Sequence, residues 1–401
     1  MVELPQLDEQ PVSTASGGVA DADPAQLLRS LEAHPHARAV LAGGLPPHGN
    51  PSHAYLFHGP AGAGKRAAAR AFAAILLADG ARDPASVQQR IARGTYPDLT
   101  WVTPSGAAEM LVSDIEEPVV AAAVHTPFES ARRVFVLEAV DTMNDQTANR
   151  MLKTLEEPPP FVHLILLTDH HADVLATIAS RCQHVRFDPL PSAQIEARLL
   201  AAGGGRIEPA RAGACARLAL GDANLAARLA SAEGQTLREH AERFIRSSFT
   251  GEVSQRRWVG LLDAAKAAGN SAGEQLTARM SAELELLPSK ERRKHEREGA
   301  DARRRIERRA RTGALDLGLR LAELWLRDAW CIAQATPELV YAIDRRAELE
   351  LDAQGRGAAA LRRAVELVQD TRRRLPLNVS EELALEALAY RLEQLLAHGE
   401  E

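Results

Sequence analysis

Apolar and polar positions follow two regimes along the chain. Up to about residue 188, short apolar runs alternate with stretches whose apolar positions recur at helical spacing; from Ser192 onward only the helical spacing remains. The strand candidates are Ala54–Phe57, Leu99–Thr103, Val134–Leu137, His163–Leu167 and His184–Phe187. Val134–Leu137 is a continuous apolar run, Val-Phe-Val-Leu, of the sort found in a strand buried on both faces of a parallel sheet, and His163–Leu167 reads the same way. Between the strands the pattern predicts helices over Gln26–Leu41, Ala67–Leu77, Val112–Val124, Asn144–Glu156 and Ala172–Ala179, the fourth ended by Pro158-Pro159-Pro160. Asp79–Pro97 is polar, with neither cysteine nor a strong period. Strands alternating with helices predict an α/β domain with a parallel core sheet over residues 24–188.

The helices that follow are interrupted at Pro288, Gly313, Pro337, Gly355–Gly357 and Pro376. They divide into a small helical lid, residues 189–232, and an all-helical collar, residues 233–401, in which Asp316–Ala333 and Glu381–Leu396 carry amphipathic stripes that need partner helices. Residues 1–23 are acidic, contain Ser, Gly and Pro, and lack period, which predicts a disordered lead-in.

Composition narrows the class. With 401 residues, two or three domains are expected, and a hydrophobic share of 45% suffices for buried cores. A net charge of −6 excludes a globally basic nucleic-acid coat but leaves room for a local patch. The three cysteines, Cys182, Cys215 and Cys331, are too scattered for a disulfide framework or a zinc cluster and fit a reducing compartment. Neither a secretion signal nor a run of about 18 apolar residues occurs, so the cytoplasm is the expected location and no membrane contact is expected.

Candidate chemistry centres on the turn after the first strand, Gly59-Pro60-Ala61-Gly62-Ala63-Gly64-Lys65-Arg66. Gly59, Gly62 and Gly64 would let backbone N–H groups close on phosphate oxygens, Lys65 would reach them, and the helix that follows presents its positive end. The residue after the lysine should carry a hydroxyl for Mg²⁺; here it is Arg66, a fixed cation with no acceptor. At the end of the Val134–Leu137 strand, Glu138 remains for the metal, while the next position, where a water-polarising carboxylate belongs, is Ala139. The frame of a nucleotide enzyme is present with parts of its chemistry removed.

Four strings occur in order: His53-Ala54-Tyr55-Leu56-Phe57, Tyr96-Pro97-Asp98-Leu99, Asn149-Arg150-Met151-Leu152-Lys153-Thr154-Leu155-Glu156-Glu157-Pro158-Pro159 and Ser180-Arg181-Cys182. In these the chain resembles bacterial clamp-loader subunits of the AAA+ family, of the DNA polymerase III delta-prime type. The resemblance is dense over residues 53–188, weaker over 192–230, and returns from Leu377-Asn378-Val379 to Leu396. It implies an AAA+ P-loop domain with parallel sheet, a lid and a collar. It also implies that Arg181 is an arginine finger reaching into a neighbouring subunit's ATP site, and that Thr168 stands at the sensor-1 position. The sensor-2 arginine of active members should fall within Gly221–Leu225, and none is there. Many members carry a four-cysteine zinc module between the P-loop helix and the Tyr-Pro-Asp-Leu strand; Asp79–Thr95 has no cysteine, so no zinc and no bound metal are expected.

What the resemblance implies is a non-catalytic subunit in a hetero-oligomer with gamma/tau-like motor and delta-like subunits, meeting the sliding clamp and primer-template DNA through the complex. No cofactor is required, and ATP binding at Gly59, Gly62, Gly64, Lys65, Glu138 and Thr168 is left open. Two alternatives stand beside it: a working gamma/tau-like ATPase, opposed by Arg66, Ala139 and Asn224, and a P-loop DNA-binding protein outside the clamp loader. The last rests on Ser289–Thr312, with eleven Lys or Arg against five Asp or Glu, and on its stripe Arg303-Arg304-Arg305 with Arg308-Arg309. Mixed sign and i,i+4 spacing favour a solvated helix there.

Overall fold

The computed structural model describes residues 23–45, 49–106, 109–284, 289–375 and 379–397. These fall into two compact units, one running to Pro191 and taking in Leu220–Leu225, the other comprising Ser192–Ala219 and the chain from Ala226 onward. The expected disordered lead-in lies outside the described residues except for Asp23, whose carboxylate accepts from Ala25 N at 2.9 Å and caps the first helix.

The first unit is built on five parallel strands: β1 Ala54–His58, β2 Leu99–Val102, β3 Arg133–Leu137, β4 Val162–Thr168 and β5 Gln183–Arg186, in the order β2-β3-β4-β1-β5. Every residue of β3 and β4 is buried, while the edge strands β2 and β5 are partly exposed, which is why only the central strands read as unbroken apolar runs. Alternation along β1 sends Tyr55 and Phe57 to one face, where they pack with Phe72, Val136 and Phe187, and Ala54 and Leu56 to the other, with Phe135, Met151 and Leu166. In register, His58 of β1 stands beside Thr168 of β4 and Arg186 of β5, so the carboxyl ends of the central strands finish at one level. The turn after β1 opens there, at the place where β1 lies between β4 and β5.

Three local expectations are corrected. Gln26–Leu41 is two helices, Pro24–Ser30 and Pro35–Gly44, because Pro35 starts a helix and cannot continue one. The polar stretch after Asp79 contains a helix, Pro84–Ala92, whose N-cap Asp83 accepts from Ser86 N at 3.1 Å and which buries Val87 and Ile91. Val112–Val124 is helical with a π-turn over Glu116–Ala121, where Pro118 supplies no N–H to the α-helical ladder.

The second unit is helical, and among the described residues no strand follows β5. Gly313 does not interrupt it: Ser289–Ala333 is one helix of 45 residues, about 68 Å long at 1.5 Å per residue. A glycine costs only about 1 kcal/mol inside a helix, and packed neighbours on either side outweigh that. The helix runs beside Trp258–Leu284, where Gly269 and Gly273 face Glu307 and Gly318 faces Leu261, small residues that let the backbones approach. Arg303 pairs with Glu307 at 2.7 Å and i,i+4 spacing, and Arg304, Arg308 and Arg309 are exposed. Pro288, Pro376, Leu377 and Asn378 lie outside the described residues. Within this unit, helix Pro209–Leu218 meets the segment that follows Pro337: Arg217 Nη1 donates to Val340 O at 3.1 Å, and Gly213 lies against Ile343. Arg238, 2% exposed, forms a two-pronged pair with Asp344 at 2.8 and 2.9 Å.

Candidate functional site

The turn between β1 and helix Lys65–Ala78 has the backbone of a phosphate cradle. Gly59, Gly62 and Gly64 take φ of +142, +66 and +88°, conformations that L side chains rarely adopt. At Gly59 a Cβ would also lie 2.1 Å from the Phe187 carbonyl oxygen, so the turn and the end of β5 approach as closely as they do only because the residue is glycine.

The side chains around this cradle are engaged with one another. Lys65 is 6% exposed; its Nζ donates to Gly59 O at 2.7 Å and Pro60 O at 2.6 Å, and it pairs with Asp169 at 2.7 Å. The lysine thus closes the loop on itself. Arg66 Nε meets Glu138 Oε1 at 2.8 Å, and Trp101 Nε1 donates to the same oxygen at 2.5 Å. Arg66, where a metal-ligating hydroxyl was expected, is therefore paired with Glu138, the carboxylate expected to hold a metal. A guanidinium there repels a divalent cation and occupies the oxygen that would bind it. Ala139, where a water-polarising base was expected, has φ +52°, a left-handed backbone on a residue with a methyl side chain and no proton acceptor.

Thr168 is buried at the end of β4, where its hydroxyl donates to Asp141 Oδ1 at 2.7 Å and accepts from His170 N at 3.0 Å. It stands one residue before the Asp169 that holds Lys65, so the two sides of the cradle are linked through the end of β4. On the loop's other side a Cβ at Gly62 would come within 1.8 Å of Asp222 Oδ1. The Asp222 carboxylate therefore packs against the glycine turn, and its Oδ1 accepts from Leu225 N at 2.9 Å.

Arg181 follows the short helix Ala176–Ala179 and precedes β5. Its guanidinium is about a third exposed; Nη1 donates to Thr177 O at 2.8 Å, and Nη2 pairs with Glu156 of helix Asp145–Glu156. The pairing joins the Leu-Glu-Glu-Pro-Pro string to the Ser-Arg-Cys string across the surface. Cys182 is tucked inward: burial pushes its thiol up to about 12, and Sγ donates to Ile178 O at 3.3 Å, so it is packing and not a nucleophile.

Some residues that shape the site are ones a motif reading gives no role. Asp98, fully buried, accepts from Phe128 N, Glu129 N and Ser130 N at 2.7, 2.8 and 2.9 Å, tying the loop before β3 to the start of β2. Asp169 and Asp141 hold Lys65 and Thr168. The signal for them lay in their places next to strand ends, not in any spacing.

A parallel sheet in this order, a glycine turn and lysine after the central strand, and an acidic residue after β3 define a P-loop domain of the AAA+ type. Residues 45–191 match the family model described as "DNA polymerase III, delta subunit". The chain is 39% identical over 155 residues to DNA polymerase III subunit delta' of Pseudomonas aeruginosa, which covers 37% of this chain and 47% of that protein. The corresponding figures for subunit delta' of Bacillus subtilis are 35% over 155 residues, 37% and 46%. Subunit tau of Bacillus subtilis is 32% identical over 156 residues, covering 37% of this chain and 27% of that protein. The match spans less than half the length of these curated relatives.

Proposed function

We propose that the chain is a clamp-loader subunit of DNA polymerase III that fills the delta-prime place without hydrolysing ATP. In this reading residues 24–188 form the nucleotide-fold domain, 189–232 the lid and 233–401 the collar. Arg181 is donated to the ATP site of a neighbouring gamma/tau-like motor subunit, as a cation opposite the γ-phosphate. The partners are motor and delta-like subunits in a hetero-oligomer, with the sliding clamp and primer-template DNA reached through the complex in the cytoplasm; among the described residues no helix is long and apolar enough to cross a membrane.

The observation that carries this reading is the Arg66–Glu138 pair, 2.8 Å across the place where Mg²⁺ would sit. Together with the methyl group of Ala139 it removes both metal handling and water activation. Single groups of this kind are worth roughly 10²–10³ in rate, so their joint loss leaves no useful hydrolysis. The test is phosphate release by the purified chain with ATP and Mg²⁺, beside calorimetry of ATP binding: turnover stays at background. Metal-dependent turnover that Lys65→Ala abolishes would replace this reading with a working gamma/tau-like ATPase, the alternative to which the tau similarity gives weight.

A further inference from the structure

The carboxyl ends of the central strands carry a cluster of imidazoles that the nucleotide reading does not use. His58 ends β1, His184 lies in β5 in register with Leu56, and His171 opens the 3-10 turn His171–Asp173 after β4. Because alternate residues of a strand share a face, His58 and the β5 position beside Leu56 project to the same side. The rings of His58 and His171 have centroids 4.3 Å apart, those of His171 and His184 5.2 Å, and those of His58 and His184 5.6 Å. One ring nitrogen of each lies within 4.8 Å of the other two.

We propose that His58, His171 and His184 form a binding site for a divalent transition-metal ion, with zinc the best fit, at the C-terminal edge of the sheet. The hydrogen bonds assign the ligand atom of His184. Its Nε2 is 3.0 Å from the Ala179 carbonyl, which only accepts, so Nε2 carries the proton and Nδ1 presents a lone pair. A carbonyl that fixes the tautomer and orientation of an imidazole is the usual outer partner of a metal-binding histidine. His171 Nε2 stands 3.3 Å from that Nδ1, and three imidazoles at 2.0–2.1 Å from a tetrahedral zinc have nitrogens about 3.3 Å apart. That pair is already at ligand spacing, and side-chain rotation of His58 closes the rest. On binding, His171 moves its proton to Nδ1 and turns the freed Nε2 lone pair to the metal. Because His171 is exposed and the other two are half-buried, the fourth position is open to water.

Imidazole nitrogen selects zinc, cobalt, nickel or copper over magnesium and calcium, which take oxygen. Two basic groups oppose a dication here: Arg186, paired with Asp188 at 3.2 Å, and His36, whose Nδ1 accepts from Arg186 N at 3.1 Å. They limit affinity without blocking the approach from the His171 side. A metal at this point would bind the end of β1 to the segment between Ala179 and His184 that carries Arg181. The absent cysteines of Asp79–Thr95 say nothing about this site, since its ligands are imidazoles brought together from positions spread over 127 residues, 58 to 184 counted inclusively.

The test uses the full-length chain stripped with a chelator and titrated with Zn²⁺ against a chromophoric competitor, and separately with Co²⁺ while the visible spectrum is recorded. One Zn²⁺ per chain, a Co²⁺ absorption of four-coordinate type, and no competition from millimolar Mg²⁺ are expected. His171→Ala and His184→Gln should each weaken Zn²⁺ by about 100-fold or more, since even outer partners of a ligand are worth 10–100-fold. Circular dichroism checks that both variants fold, and His171, on the surface, is the safer of the two. No stoichiometric uptake, or equal uptake by the His171 and His184 variants through other surface histidines, would overturn the proposal.

Discussion

Asp98 shows how much one carboxylate organises. It takes three successive backbone N–H groups in a fully buried position, so its removal leaves three donors without partners. We expect Asp98→Ala to lower the unfolding free energy by about 3 kcal/mol or more in urea melts, as truncating one side of a buried charged network does. A loss below about 1 kcal/mol would mean that water or a shifted loop replaces it. Arg66 is the second single-residue case. Arg66→Thr should restore a metal-ligating hydroxyl and free Glu138, so Mg²⁺-ATP is expected to bind the variant at least about tenfold more tightly than the unaltered chain by calorimetry, a difference of 1.4 kcal/mol. Hydrolysis should nevertheless stay at background, because Ala139 still offers no base. Unchanged affinity would show that the Arg66–Glu138 pair does not govern the site. The glycines and Lys65 could be read from the sequence because a phosphate turn has a fixed local spelling. Arg66 and Glu138 could likewise both be assigned to the metal position, but their direct pairing could not, because it depends on side-chain geometry between residues 72 positions apart.

At the scale of elements, what could be read ahead of the structure followed burial. β3 and β4 are covered on both faces and announce themselves as apolar runs; β5 is an edge, and its residues Gln183-His184-Val185-Arg186 show only one buried position. Helix Pro84–Ala92 escaped a periodicity reading because its buried apolar positions are only Val87 and Ile91, one i,i+4 pair. Its cap, Asp83-Pro84, was the available signal. Gly313 misled in the other direction, since neighbouring packing keeps the long helix continuous. One strand residue also carries a pH dependence. His163, inside β4, is held below the ordinary imidazole value by burial, partly offset by its contact with Ser52 O at 3.0 Å. On acidification the unfolded chain therefore takes up this proton before the folded one. Stability should fall as pH drops below about 6.5 and level off once pH passes below the folded-state value. Urea melts from pH 7.5 to 5 should give a shallower acid decline for His163→Gln; an identical slope would assign the decline to other groups.

For the whole molecule, the two units carry different kinds of information. The α/β unit holds the matched region, the closed cradle and Arg181, while the helical unit is organised by pairs such as Arg238–Asp344 that no motif announces. In the proposed function this chain donates a cation to a neighbour and runs no ATP cycle itself. DNA-stimulated ATP hydrolysis by the complex reconstituted with motor and delta-like subunits and clamp tests this, comparing Arg181→Ala with Lys65→Met below the latter's melting temperature. Lys65→Met should lower that melting temperature, because it strips Gly59 O, Pro60 O and Asp169 of their common donor, yet leave hydrolysis close to that of the unaltered complex. Arg181→Ala should leave folding and assembly intact, since the side chain is exposed and pairs only at the surface, and should slow hydrolysis by up to about 10³-fold where the finger is the main stabiliser. Arg181→Lys should recover part of the rate, an ammonium lacking the planar fork that engages two oxygens. Full hydrolysis by the Arg181→Ala complex together with a collapse in the Lys65→Met complex would reverse these roles and make this chain a motor.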